Sequence, residues 1–585
     1  MDSREHSSGR APGRSQAGPN PPGGSADVLV GRGASFTHEV TNQPLPLVGH
    51  NVYLGDRALR DALAFHLPGA DESVRATFGE MLGTEAMQTH ARLANVHKPQ
   101  LHTHDRFGRR TDTVEFHPSY HALLGAAVEA GLHATPWSRG PGAHIERAAG
   151  FMMFTQLEPS VLCPVSMTYA VTPALRDNAP VFAAWFDPLA STRYDPRLAF
   201  VGTKTGVTMG MGMTEKQGGS DVRANTTRAE FDGDDAWGAR YRLTGHKWFF
   251  SAPMSDAFLV LAQTPAGLGC FFLPRVLPDG SVNAIAVQRL KDKLGNQANA
   301  SSEVEFNGAL AWRVGEEGRG IAQILEMGTL TRLDCALGTA GLMRGAVALA
   351  LNHASQRLAF GKRLADQPLM KNVLADIALE SEAATALALR LARAVDRQDD
   401  AFETLMRRVL TPVAKFWICK RGSALAQEAM ECLGGNGYVE EHGEGVMARI
   451  YREMPLNSIW EGAGNIMALD LMRALRKRGG SSGGDAVQAL DAELATTRGA
   501  HATLDRFSDA LFARLADGAG DEADARRLAQ DVALAVQASL LRRHASDATF
   551  DAFCRSRLSD GGPPIFGTLP AGTAFDSIIQ RAMPQ

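Results

Sequence analysis

The chain has 585 residues, 44% of them hydrophobic and 21% charged, with a formal net charge of -4. That length suits about three to five ordinary domains or one large multi-part fold, and the composition excludes global disorder and a polycation, so nucleic acid could be met only through a local patch. No run of about 18 uninterrupted apolar residues occurs, so no helix is expected to span a membrane.

Residues 1–36 are rich in Gly, Ser, Pro and Arg, lack apolar periodicity and read as a disordered tail with no secretory signal. Residues 37–194 are predicted helical, as at Leu59–Leu67 and Val74–Leu93, where apolar positions recur at three and four. The texture changes to period two over residues 195–314. Ala229–Phe231, Tyr241–Leu243, Ala257–Ala262, Cys270–Leu273 and Glu303–Phe306 read as short strands, separated by turn signals such as Asp232-Gly233-Asp234. A small antiparallel β domain is expected there. No Gly-x-Gly-x-x-Gly follows a strand and opens a helix, which excludes a Rossmann unit.

Residues 315–478 carry three long helical patterns, Ile321–Ala359, Met370–Gln398 and Phe402–Met430, each with an apolar stripe suited to a bundle. A linker is expected at 479–486, where Gly479–Gly484 reads Gly-Gly-Ser-Ser-Gly-Gly. Residues 487–585 read as an appended helical domain. The expected class is therefore α+β: a helical domain, a β domain, a helical bundle, then further helices. Cys163, Cys270, Cys335, Cys419, Cys432 and Cys554 are scattered, with neither disulfide nor zinc spacing. They read as buried apolar residues of a protein in a reducing compartment, the cytoplasm, and no metal site is expected.

Five segments carry chemistry. Met211 to Asp221 holds Thr214, Gly219 and Ser220, hydroxyls and a close-approach glycine suited to an anionic ligand. Gly245 to Ala252 places Phe249, Phe250 and Ser251 on a strand, a flat wall with a polar edge. Arg357 and Phe360 follow a bundle helix, the guanidinium suited to a phosphate. Gly434, Gly435 and Gly437 break the chain between helices. Asn457 to Met467 sets Glu461 among Trp460, Gly462, Gly464 and Asn465; a carboxyl in apolar surroundings has a raised pKa and suits a general base. Taken singly, each segment also fits a purely structural role.

In this order and context the five segments resemble the acyl-CoA dehydrogenase family over about Asn42 to Arg476. The resemblance implies FAD held by Met211, Thr214, Gly219, Ser220, Phe249, Phe250, Ser251, Arg357, Phe360, Gly434, Gly435, Trp460, Gly462, Gly464 and Asn465. It also implies Glu461 as the base that takes the substrate α-proton. Phe249 stands where the family has Trp, Ser251 where it has Thr, and Ala463 replaces the Thr after Glu-Gly. Trp460 is bulkier than the Tyr often found there and narrows the expected acyl pocket.

Asn42 to Leu47, Arg92 to Val96, Arg289 to Asn296 and Tyr451 to Met467 are similar to the alkylation-response, AidB-type branch of that family. That likeness implies binding of double-stranded DNA without sequence preference and weak isovaleryl-CoA-like dehydrogenase activity; the family resemblance implies a homotetramer in which Arg357 and the Gly434–Gly437 loop reach the FAD of a neighbouring subunit. An ordinary metabolic dehydrogenase for a short or branched acyl-CoA is the alternative. Arg473, Arg476, Arg542, Arg543, Arg555 and Arg557 are the candidate DNA contacts, from their clustering near the bundle end and in the last helices.

Overall fold

A computed structural model describes residues 37–476, 485–517, 520–559 and 565–585. The expected tail at 1–36 and the Gly-Ser stretch of the linker lie outside the described residues. Residues 44–585 form one compact unit, to which everything below refers.

Its first part packs α1 (Arg57–His66), α2 (Ser73–Gly83), α3 (Glu85–Val96), α4 (Pro118–Glu129), α5 (Ala143–Leu157), α6 (Leu162–Leu175) and α7 (Ala179–Ala190). The caps are chemical: Asp56 accepts from the Leu59 N–H to start α1, and Asn178 from the Val181 N–H to start α7. α6 is apolar all round and buried along its length. One departure from the helical expectation is a hairpin of β1 (Gln100–His104) and β2 (Arg110–Glu115). Its strands are short and polar, and only Val114 and Asp112 on β2 are buried, so no apolar alternation announced it.

The second part is a closed barrel built from β3 (Met209–Gly212), β4 (Arg228–Asp235), β5 (Gly238–Ser251), β6 (Ala257–Thr264), β7 (Gly267–Pro274), β8 (Ile285–Leu290) and β9 (Ser301–Val314). The order is β3-β6-β4-β5-β9-β7, with β8 on β9 and β7 returning to β6. The expectation of an antiparallel domain needs one correction: β3 and β4 both run parallel to β6, in the registers Met209↔Ala257 and Arg228↔Gln263. Period-two patterning reports which face is buried and says nothing of strand direction. The barrel encloses its own core of Phe250, Phe258, Phe271, Phe306, Leu243 and Val304 among others.

The third part is the bundle of α8 (Gly320–Gln356), α9 (Pro368–Asp396) and α10 (Ala401–Cys432), with the short turn α11 (Gly435–Tyr438), then α12 (Val446–Glu453) and α13 (Gly464–Arg476). α8 is long and apolar enough to cross a membrane by length and composition alone, but 94% of that window is buried inside the protein. Its apolarity is that of a helix enclosed by neighbours on all sides.

The last helices are α14 (Ala486–Ala495), α15 (Ala502–Ala516), α16 (Ala525–His544), α17 (Asp547–Arg557) and α18 (Phe575–Ala582). They are not appended as a separate body. Val532, Leu534, Val536 and Leu540 of α16 belong to the same buried cluster as the bundle and the first helices. Buried ion pairs bolt them on: Arg557 of α17 reaches Asp376 and Glu380 of α9, and Arg390 of α9 reaches Glu493 of α14 at 2.9 Å. Arg344 of α8 donates to Ala582 O at 2.8 Å and Gly55 O at 2.6 Å, clamping the chain's last and first described helices to one side chain.

Candidate active site

Between Lys247 and Phe250 the β5–β9 register slips by one residue, so β5 carries an extra residue at 248–249. Bulges re-aim side chains. Here Trp248 and Phe249 both point outward, Phe249 52% exposed, while Phe250 returns to the barrel interior. The Phe250 side chain is therefore part of the core, fully buried and 4.2 Å from the Phe258 ring, which leaves only its backbone to face a cofactor. Ser251, half-buried, ends β5 opposite Ser301.

The 211–221 segment leaves β3, where Met211 is buried, and folds across β5. Thr214 O accepts from the Trp248 N–H at 2.8 Å. Beneath it lies an ion pair that sequence reasoning missed. Lys247 donates to Glu215 at 2.7 Å and to Leu261 O at 2.7 Å, with both side chains fully buried. Burial alone would raise the Glu215 carboxyl; the Lys247 ammonium and the Thr226 and Thr227 donors outweigh it and hold it at about 2. Burial lowers Lys247 to about 8 against the pull of Glu215. The pair staples the Thr214 loop to the Phe249 strand. Its signal in the sequence was a lysine at an inward position of an aromatic strand.

Glu461 occupies the turn before α13, at φ +59, in the left-handed region that L-residues avoid. Gly462 follows at φ +102. Three consecutive carbonyls of this turn are taken by cations: Lys415 of α10 donates to Trp460 O at 2.7 Å and to Gly462 O, and Arg332 of α8 donates to Glu461 O at 2.9 Å. The carboxylate accepts from the Thr331 hydroxyl at 2.7 Å. Burial pushes its pKa above the ordinary value, against the Thr331 hydrogen bond and the charges of Arg332 and Lys415. Trp460 is fixed by its Nε1–H donating to Asn457 at 2.9 Å. Gly464 is buried and Asn465 exposed in the first turn of α13. The Cys163 thiol of α6 faces both the Ser251 hydroxyl and Glu461, which brings the barrel edge and the carboxylate turn to one place. Lys415 was legible only as a charge inside the apolar run Thr411–Cys419.

The remaining motif residues are elsewhere. Arg357 follows α8, 25 residues beyond Arg332, which is about 38 Å along a helix axis. Phe360 tips a small hairpin there, fully exposed at φ +51. Gly434 and Gly435 follow α10, whose last residue is 17 beyond Lys415, about 26 Å along the axis. Gly434 adopts φ +60, ψ -143, a conformation only glycine takes readily, and Tyr438 beside it is 78% exposed. One chain therefore does not bring these residues to Glu461.

The six candidate DNA arginines also divide. Arg557 is buried against Asp376 and Glu380, and Arg543 pairs with Glu493 at 2.9 Å beside Arg390; these two are corrected from surface contacts to internal ion pairs. Arg542 pairs with Asp547 at 3.3 Å, Arg555 donates to Ala571 O at 2.8 Å, and Arg476 donates to Gly520 O at 2.6 Å, all on the surface. Arg473 is exposed on the last turn of α13. A surface cleft of about 770 Å³ beside β4 and β5, lined by Phe231, Tyr241, Gln263 and Arg313, contains none of the motif residues.

The donor set fits a flavin nucleotide. An added Cβ at Gly219 would meet the Thr214 hydroxyl at 2.6 Å, so the loop closes only with glycine there, while one at Gly218 would meet nothing within 4 Å. Exposed Ser220, outward Phe249 and half-buried Ser251 continue that open face.

Comparison with known proteins agrees with this geometry. Residues 42–196 match the adaptive response protein AidB N-terminal domain, 210–309 the acyl-CoA dehydrogenase middle domain and 318–476 its C-terminal domain. The chain is 54% identical over 447 residues to AidB of Escherichia coli (strain K12), covering 76% of this chain and 81% of that one. It is 29% identical to acyl-CoA dehydrogenase family member 11 of Caenorhabditis elegans, covering 76% and 74%. The crystal structure of Caenorhabditis elegans ACDH-11 in complex with C11-CoA superposes with a TM-score of 0.79 at 27% identity, over 91% of this chain and 94% of that one. The chain belongs to the acyl-CoA dehydrogenase family, in its AidB branch, and is a FAD-dependent oxidoreductase of the fold that family shares.

Proposed function

We propose that this protein removes the α-proton of a short or branched acyl-CoA, of the isovaleryl-CoA type, with the Glu461 carboxylate, and that it binds double-stranded DNA in the response to alkylation damage. The observation that carries the first part is the Glu461 turn. A carboxylate raised by burial, held by Thr331 and pinned through its backbone by Arg332 and Lys415, is a base of suitable strength in a fixed place. FAD, when bound, accepts the β-hydride. Thr214, Gly219 and Ser220 would hold the cofactor, with Phe249 as a wall for its ring and Ser251 as a hydrogen-bonding partner for its polar edge. The Glu461 backbone N–H would hold the thioester oxygen as negative charge develops on it. Trp460 narrows the acyl space and keeps turnover low. The C11-CoA in the ACDH-11 complex supports an acyl-CoA as the substrate; the short or branched acyl chain rests on the bulk of Trp460. Anaerobic addition of isovaleryl-CoA and other short acyl-CoAs should bleach the flavin absorbance; no bleaching with any of them removes the dehydrogenase reading.

The DNA reading rests on Arg473, Arg476, Arg542 and Arg555, all at the surface. Phosphate contacts of this kind fall steeply with salt and carry no base readout. Gel shifts across a salt series on two unrelated duplexes should coincide. No shift at low salt leaves a metabolic dehydrogenase. The six cysteines are free and buried, which supports a cytoplasmic setting.

The distances along α8 and α10 support a homotetramer in which the 357–361 and 434–438 segments complete the FAD site of a neighbouring copy.

A further inference from the structure

Ser251 has a charged residue behind it. Its hydroxyl lies 3.4 Å from that of Ser301, the residue opposite it on β9. Ser301, buried, in turn receives a hydrogen bond at 3.0 Å from Lys293 Nζ, which also donates to Asn299 O at 2.7 Å. An ammonium can only donate. Ser301 Oγ must therefore accept from Lys293, and its own proton is left to give. Ser251 is the hydroxyl in reach, so it accepts from Ser301 and keeps its own proton to give; the Cys163 sulfur beside it is a weak acceptor, which leaves that proton for the flavin edge. The order is directional: Lys293 to Ser301 to Ser251. We infer that Lys293 is a positioning residue that makes Ser251 a hydrogen-bond donor to the flavin edge and places a positive charge behind it.

The surroundings fit that role. Three groups face Lys293 from neighbouring elements: the Cys163 thiol on α6, Glu158 before it, and Glu453 on α12. Burial pushes Cys163 up to about 12, so it stays a neutral thiol and takes no charge from Ser251. Glu453 accepts from the Asn296 N–H at 2.7 Å, while Glu158 accepts from Asn95 at 3.1 Å and from the Val161 N–H at 2.9 Å. No carboxylate is within ion-pair distance of Lys293 among the described residues, so its charge is not neutralised by direct pairing. Burial lowers Lys293 to about 8, so the charge is present at neutral pH and lost above about pH 8. Asn299 is buried with both amide atoms unpartnered, and Glu453 Oε1 and Asn296 Nδ2 are unpartnered too, so the space around Lys293 is polar. A lysine needed only to close the 293–301 loop would do so through Asn299 O alone.

This inference rests on FAD lying with its ring edge at Ser251. The test is equilibrium photoreduction of the FAD-loaded protein against a reference dye, read from the flavin spectrum. Removing a positive charge disfavours the more negative reduced ring. Lys293→Met should lower the ratio of reduced to oxidised flavin at a fixed potential about tenfold, which is about 30 mV for a two-electron couple. Lys293→Arg should restore most of it. Ser301→Ala removes a single oxygen and should lower the ratio in the same direction, so the inference remains testable if Lys293→Met fails to bind FAD. The difference between wild type and Lys293→Met should shrink as pH rises through about 8. An unchanged ratio in Ser301→Ala and Lys293→Met, with a shift in Ser251→Ala, overturns the role of Lys293 alone. An unchanged ratio in Ser251→Ala overturns the placement of the flavin edge and the inference with it.

Discussion

Glu461 is held in a conformation that costs an L-residue about 1–2 kcal/mol. Lys415 and Arg332 offset that cost by taking the carbonyls of residues 460–462, and their charges lower the carboxyl pKa while burial raises it; burial prevails. Glu461→Gln keeps the shape and removes the base, so FAD content and fold should persist while acyl-CoA-dependent flavin reduction falls by about 100-fold or more; stopped-flow bleaching measures it. Thr331→Val removes the one hydroxyl that favours the charged carboxylate. The folded-state pKa of Glu461 then rises further, and since the base acts deprotonated, the acid limb of kcat/KM should move to higher pH. An unmoved limb would place the titrating group elsewhere. Glu461 itself was legible from its neighbours, a carboxyl between Trp460 and Gly462. Arg332 was not, because its partner lies 129 residues away and nothing local distinguishes it from other helix arginines.

At the scale of elements, the long bundle helices and the short strands were legible because periodicity reports burial directly. Strand direction was not, hence the unforeseen parallel pairing of β3 and β4 with β6. The last helices were legible as helices, but two of their arginines were misread for a physical reason. Arg543 and Arg557 look like surface charge in a mixed helical sequence, and only the fold supplies the carboxylates, Glu493 for the half-buried Arg543 and the pair Asp376 and Glu380 for the buried Arg557. The consequence is asymmetric. Arg557→Ala leaves the buried Asp376 carboxylate without its cation and Glu380 with Arg421 alone, which costs about 3–5 kcal/mol, and should loosen α17 from α9. Arg473→Ala touches only the surface and should change stability by no more than about 0.5 kcal/mol. Urea unfolding of the two variants checks this. Equal, small effects would mean that α17 is held by its apolar face alone. Any loss of DNA binding in Arg557→Ala would then follow from unfolding, and only a loss in Arg473→Ala would report contact.

On the scale of the molecule, the resemblance assigned five segments to FAD, two of them to the FAD of a neighbouring copy, and one chain keeps those two, the Arg357 and Gly434 segments, far from Glu461. Ser251 and Glu461 both act on the Cys163 thiol, and the Thr214 loop is tied to the same strand as Ser251 through the Trp248 N–H. Arg357 and Phe360 stand about 38 Å down α8, and the Gly434 turn about 26 Å down α10. Sequence order cannot separate a site made within a chain from one shared between copies, since both carry the same motifs. Exposure can. Phe360 is wholly exposed in the protomer and sits at φ +51, an unfavourable backbone and a solvated ring with no gain inside one chain. Phe360→Ser should therefore leave protomer stability within about 0.5 kcal/mol, and any larger consequence must come from a second copy. If the 357–361 segment completes a neighbour's FAD site, Phe360→Ser and Arg357→Ala should each lower the assembled mass in light scattering and the FAD retained after gel filtration. Both losses should be partly recovered at higher protein concentration, because assembly and cofactor binding are linked by mass action. FAD-replete wild type that scatters as a monomer would refute the shared site, as would a variant that loses FAD while keeping its full assembled mass.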